Sequence, residues 1–109
     1  KKASEGKYKI DYREGYFWLK QAALAPELDN RYKGGVFFTL GMAYLHGVGV
    51  IQNYKIAYSW FSISSSLGVK QANEMRNATF NLLRQASMAE GVQEYALKCK
   101  NNPRMCLPD

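Results

Sequence analysis

A chain of 109 residues is long enough to bury one modest core and too short for two. Apolar residues make up 47% and charged residues 22%, an ordinary globular composition, and no apolar run approaches the ~18 residues that span a bilayer. The formal charge of +6 favours a partner with an acidic surface. The basic residues are nonetheless scattered. Their only tight groups are Lys1-Lys2, Lys7/Lys9/Arg13 and Lys98/Lys100/Arg104. No helix carries a basic stripe with interleaved aromatics, which argues against nucleic acid as a partner.

Residues 1–10 read as a polar lead-in. Asp11 is a candidate N-cap for a first helix over Tyr12 to Ala25, with Tyr12, Gly15/Tyr16, Leu19 and Ala22/Ala23 at helical spacing. Pro26 ends it. Asp29 or Asn30 can cap a second helix from about Arg31 to His46, and Gly34-Gly35 would weaken its first turn and delay its start. The loop from His46 to Gln52 contains Gly47 and Gly49, which permit a turn.

Asn53 caps a third helix to about Leu67, on which Ala57, Trp60, Phe61 and Ser64 face inward, and Gly68 closes it. A fourth helix from near Lys70 places Ala72, Met75, Thr79, Leu82/Leu83 and Ala86 on one face. Ser87-x-x-Glu90 has the form of a capping box for a fifth helix over about Met88 to Lys100, with Val92, Tyr95, Ala96 and Cys99 as its apolar stripe. Pro103 and Pro108 make the tail non-helical. No run alternates like a strand. The expected class is all-α.

Both cysteines, Cys99 and Cys106, lie near the end of the chain and flank the turn signal Asn101-Asn102-Pro103. A disulfide there would tie the tail to the last helix and imply an oxidising compartment; free thiols are the alternative. The chain opens on Lys1-Lys2 without a methionine, which points to a trimmed or processed form. With the disulfide formed, the expected location is the periplasm or another exported site, with the cytoplasm as the alternative.

Sliding the chain by 42 residues lays the first helix on the third. Asp11 meets Asn53, Tyr12 meets Tyr54, Gly15 meets Ala57, Tyr16 meets Tyr58, Trp18 meets Trp60, Leu19 meets Phe61, and Ala22/Ala23 meet Ser64/Ser65. A cap, a tyrosine pair, a small residue, a tryptophan and a small pair recur in one order at one spacing. This is the mark of a helical repeat whose hairpins bury their apolar faces against neighbours.

At Leu40, Gly41, Tyr44, Gly47, Gly49, Val50, Lys55, Ala57, Trp60, Gly68 and Ala72 the chain resembles the Sel-one-like repeat family, relatives of the tetratricopeptide repeat. It departs at Asn53, where the family prefers aspartate, at Ser64/Ser65, where it prefers alanines, and at Val36, where a helix-start alanine is common. The resemblance implies a short α-solenoid of antiparallel helix hairpins, with about five helices and a C-terminal capping pair. The expected division of this one domain is a half repeat over about 5–25, a full repeat over about 31–68, a cap over about 69–100 and a tail over 101–109.

The resemblance further implies a non-enzymatic module that binds another protein on a concave face lined by the first helix of each hairpin. That places Phe38, Met42, Leu45 and His46 on or near the contact surface. Phe37 reads as core. Tyrosine offers area and a polar tip at low entropy cost, which adds Tyr16 and Tyr58 as partner-binding candidates. The alternative implied by the resemblance is a bacterial immunity protein that inhibits a secreted phospholipase-type toxin of type VI secretion in the periplasm.

No catalytic, metal or cofactor site is expected. His46 is the only histidine and has no ligand-type neighbour in sequence. The serines from Ser62 to Ser66 lie on a helix without a general base. Asn77-Ala78-Thr79 fits a glycosylation acceptor but falls inside a helix. The glycine loop lacks the Gly-Lys-Ser/Thr ending of a phosphate loop, so no ligand is expected there. The partner's identity and the oligomeric state stay open.

Overall fold

The computed structural model describes residues 11–108. The lead-in over residues 1–10, with Lys1-Lys2, Lys7 and Lys9, lies outside the described residues. The described chain is helical throughout: α1 (Tyr12–Leu24), α2 (Asn30–His46), α3 (Tyr54–Ser66), α4 (Lys70–Gln85), α5 (Val92–Asn101) and a closing 3-10 turn (Pro103–Cys106). The helices pack as a short helical repeat solenoid.

The capping residues act as their chemistry dictates. The Asp11 carboxylate accepts from the Arg13 and Glu14 amides, Asp29 from Arg31, and Asn53 from Ile56. Helix α2 ends on Gly47 at φ 70°, and the Val48 amide reaches back to the Ala43 carbonyl. Helix α3 ends on Gly68 at φ 96°, with Gly68 and Val69 bonded to Ser65 and Ser64. Both ends are left-handed caps that satisfy carbonyls the helix leaves open.

Helix α2 starts at Asn30, within a residue of the expected Arg31, and the glycine pair does not delay it. Gly34 is fixed by its surroundings: a Cβ there would meet the Val69 side chain at 2.9 Å, and its carbonyl accepts a 2.7 Å bond from the Ser64 hydroxyl. The capping box at Ser87 does not form. Ser87 takes φ 59°, and the amides of Ser87 and Met88 return to Arg84 and Leu83. The serine therefore closes α4 in a left-handed cap, and α5 starts only at Val92 after Gly91 at φ 78°.

Helix α3 is the centre of the packing. It runs against α2, α4 and α5, and Ile56 to Phe61, Ile63 and Ser64 are all buried. A helix so enclosed needs apolar or small residues nearly all round. Ser59 donates to the Lys55 carbonyl at 2.8 Å and Ser64 donates across to Gly34, while the buried Ser62 hydroxyl has no hydrogen-bond partner among the described residues. On the α2 side, Phe37 stacks on Trp60 with centroids 5.1 Å apart, and Phe38 tilts against Phe61 at 5.7 Å. Phe37 is core, as the sequence indicates. On the other side Tyr58, Leu83, Val92 and Ala96 form a second cluster.

Cys99 and Cys106 are joined in a disulfide. The tail does more than hang from it. Cys106 and Leu107 are buried in the main cluster, and the Trp60 indole N–H donates to the Cys106 carbonyl at 3.1 Å. Pro103 opens a 3-10 turn, so the tail is a short helical cap where a non-helical strand of chain is expected.

The two glycine types in α2 give opposite predictions. A Cβ on Gly41 would lie 2.6 Å from the Phe61 ring, whereas one on Gly35 meets nothing within 4 Å. Gly41→Ala should lose about 1–3 kcal/mol to overpacking, and Gly35→Ala should gain ~0.5–1 kcal/mol, both read by urea denaturation. Equal effects of the two substitutions are incompatible with this packing.

Candidate functional site

An apolar groove opens where α1 lies against α2. Its α1 wall is Tyr12, Gly15, Tyr16 and Leu19, reached from Asp11; its α2 wall is Thr39, Met42, Ala43 and His46; Val48 closes one end. The groove volume is about 310 Å³. Positions 39, 42, 43 and 46 recur at helical spacing, so one face of α2 forms a continuous wall. Tyr12 and Val48 are exposed apolar side chains at its mouth.

Tyr16 of this lining belongs to a hydrogen-bonded tyrosine pair. The Tyr16 and Tyr44 hydroxyls are 2.7 Å apart with their rings edge to face, and Tyr16 is 2.9 Å from the Pro108 carbonyl. A carbonyl only accepts, so Tyr16 donates to Pro108 and Tyr44 donates to Tyr16. Burial first, and the bond to Tyr16 second, push the Tyr44 phenol far above its ordinary value of 10.0. It stays neutral across the physiological range and holds α1, α2 and the tail together.

On the far side of this pair is a larger cavity of about 770 Å³, lined by Arg13, Tyr16, Tyr44, Gly49, Val50, Ile51, Asn53, Ile56 and Pro108. It lies against the glycine loop, where no ligand is expected from sequence. Ile51 stands 90% exposed at its rim. A Cβ on Gly49, at φ 78°, would run into the Tyr12 carbonyl, so the loop lies close against α1 with no room for a side chain.

The structure separates the six residues proposed from sequence. Met42, His46 and Tyr16 come together on the groove. His46 is exposed, Met42 half-buried and Tyr16 buried. Phe38 turns toward Phe61 instead, and Leu45 is buried in the main cluster. Tyr58 is buried against Phe80 beneath α4. Leu45 and Tyr58 therefore expose too little to meet a partner, because both lie on faces that a neighbouring helix covers. The groove residues not proposed from sequence as contacts are Asp11, Tyr12, Gly15, Leu19, Thr39, Ala43 and Val48. Their signal was the 42-residue self-match, by which α1 repeats the helical face of α3.

Among the described residues no group of three or more His, Cys, Asp or Glu is placed to hold a metal ion, and no helix is long and apolar enough to cross a membrane. Thr79 of the glycosylation-like triplet is buried and bonds back to the Met75 carbonyl.

The Sel1 repeat family model matches residues 4–26 and 38–69. The chain belongs to the Sel1 repeat family. The two matches fall on α1 and on most of the α2–α3 hairpin, as the 42-residue self-match places them. Sel1 repeats are generally protein–protein interaction modules and typically non-catalytic. No curated protein and no solved structure matches the chain.

The tyrosine pair makes stability fall with alkali. The folded pKa of Tyr44 is raised, so its contribution is complete below the unfolded value of 10.0 and is lost as pH climbs above it. Tyr95, raised by burial, acts in the same direction. Tyr44→Phe should cost about 1 kcal/mol at neutral pH and flatten the decline above pH ~10, followed by urea midpoints across a pH series. An unchanged alkaline slope in the variant would remove Tyr44 as its source.

Proposed function

We propose that this chain is a non-enzymatic docking module and that a partner protein binds in the α1–α2 groove. The observation that carries the reading is the groove's lining. Tyr12, Leu19, Met42 and Val48 form a continuous apolar surface at the point where two helices diverge, with Tyr12 and Val48 open to solvent. Exposed apolar surface grouped in a concavity is the usual mark of an interface. Methionine and tyrosine adapt to a partner at low cost, the first by flexibility and the second by a rigid ring with a polar tip. The net charge of +6 favours a partner with an acidic rim around its apolar centre.

The paired variant Tyr12→Ala/Met42→Ala tests the site. Met42 is half-buried and Tyr12 is exposed, so the fold should survive both truncations. Proteins captured by the wild-type chain should be lost or bound at least ~10-fold more weakly by the pair, and retained by the exposed α4 control Gln71→Ala. A partner whose affinity the pair leaves unchanged would place binding elsewhere.

The disulfide favours work in an oxidising, exported compartment. It closes a short loop, with a sequence separation of 7. Its reduction should lower stability by about 2 kcal/mol and loosen the tail from Trp60, read as a red shift of tryptophan emission. A chain isolated from its native source with both thiols free would contradict the compartment.

A further inference from the structure

Helix α1 is the lightly held wall of the groove. Tyr16 and Ala23 are its buried residues, whereas α3, also 13 residues long, buries Ile56 to Phe61, Ile63 and Ser64. It packs against α2 and against the closing 3-10 turn. Tyr16 links it to both. Its hydroxyl accepts from Tyr44 of α2 at 2.7 Å and donates to the Pro108 carbonyl of the tail at 2.9 Å. Tyr16 also lines the groove, so the place of this wall depends on where the tail puts its carbonyl.

The tail is placed by the disulfide. Pro108 is exposed and stands two residues after Cys106, which is bonded to Cys99 of α5. Two residues span at most ~7 Å, so the acceptor for Tyr16 is leashed to a covalent anchor. The bond from the Trp60 indole to the Cys106 carbonyl fixes the anchored end on α3. Both cysteines are 0% exposed. A thiolate must touch a disulfide sulfur to attack it, so a reductant reaches this bond once the tail has lifted. Lifting the tail parts Pro108 from Tyr16.

Resting on the reading of the groove as a docking site, we infer that the tail is a redox latch on that site. The closed Cys99–Cys106 bond holds α1 in the docking position, and its reduction by a dithiol releases α1 and dismantles the groove. One thiolate of the dithiol attacks a cysteine sulfur and forms a mixed disulfide, and the other cysteine leaves as a thiolate and takes up a proton. The second thiol of the dithiol then displaces the first cysteine. The chain gains two thiols and the dithiol becomes a disulfide. The coupling is reciprocal: the bond holds the tail on α1, and the tail docked on α1 shields the bond. A partner seated in the groove favours docked α1 and slows reduction.

Hydrogen exchange of the full chain, read by mass spectrometry with dithiothreitol as the dithiol, tests the latch. On reduction, protection of the α1 amides should fall at least ~10-fold further than that of the α4 amides. The Cys99→Ala/Cys106→Ala chain should match the reduced wild type and ignore dithiothreitol. The rate at which thiols appear reads the reverse coupling. Tyr16→Phe removes the bond to Pro108, whereas Tyr44→Phe removes a hydroxyl of the same pair and leaves that bond. Reduction should therefore be at least ~3-fold faster in Tyr16→Phe than in Tyr44→Phe.

A loss of protection spread evenly over all the helices makes the disulfide a general staple and overturns the latch. Unchanged protection of α1 overturns it too, as does equal acceleration by Tyr16→Phe and Tyr44→Phe, which marks reduction through global unfolding. A captured partner lost on Tyr12→Ala/Met42→Ala should also be lost on reduction. If the reduced chain binds it as well as the oxidised chain does, the latch is overturned while the groove stands. A partner insensitive to Tyr12→Ala/Met42→Ala overturns the groove reading, and the gating of docking with it, whatever α1 does on reduction.

Discussion

The Trp60 indole holds three parts of the chain in one place. Its face is stacked on Phe37 of α2, its backbone belongs to α3, and its N–H bonds the Cys106 carbonyl of the tail. A stacked aromatic pair adds about 0.5–1.5 kcal/mol beyond the area it buries, and the buried N–H would be costly if left without an acceptor. The Cys99–Cys106 disulfide supplies that acceptor by fixing the tail against α5. The hairpin, the central helix and the closing turn therefore stand or fall together. Leu107 and the Tyr16–Pro108 bond extend the same arrangement to α1.

Trp60 and Trp18 have the same place in the repeat and different surroundings. A helical hairpin is stable when each apolar face meets another, and a solenoid meets this need by stacking. In α3 every face is met. In α1, Tyr16 meets α2 and the tail and Leu19 packs on the main cluster, while Phe17 and Trp18 are exposed.

Local sequence rules succeeded wherever the chemistry was local. Asp11, Asp29 and Asn53 cap the helices they precede, and Gly47 and Gly68 end the helices they follow, because a carboxylate or a left-handed turn needs no distant neighbour. The same rules failed where one residue had two local roles. Ser87 could open α5 or close α4, and the αL turn after α4 took it. Gly34-Gly35 weakens a helix by propensity, yet α2 continues through both since α3 and Val69 require the backbone to come close there.

The sequence by itself determined the all-helical class, the N-caps of the first three helices, the repeat offset, the family and the inward place of Trp60. These are properties of spacing, and spacing is written along the chain. Only the tertiary structure decided which candidate residues share a surface. Met42 and His46 face the groove while Leu45 and Phe38, within the same turns of α2, face the core, because α3 covers one side of the helix and α1 only part of the other. It also decided that Trp18 is open and Trp60 closed, although both have the same place in the repeat. Exposure depends on what lies beside a residue in space: Phe37 and the tail lie on Trp60, whereas Trp18 is 62% exposed.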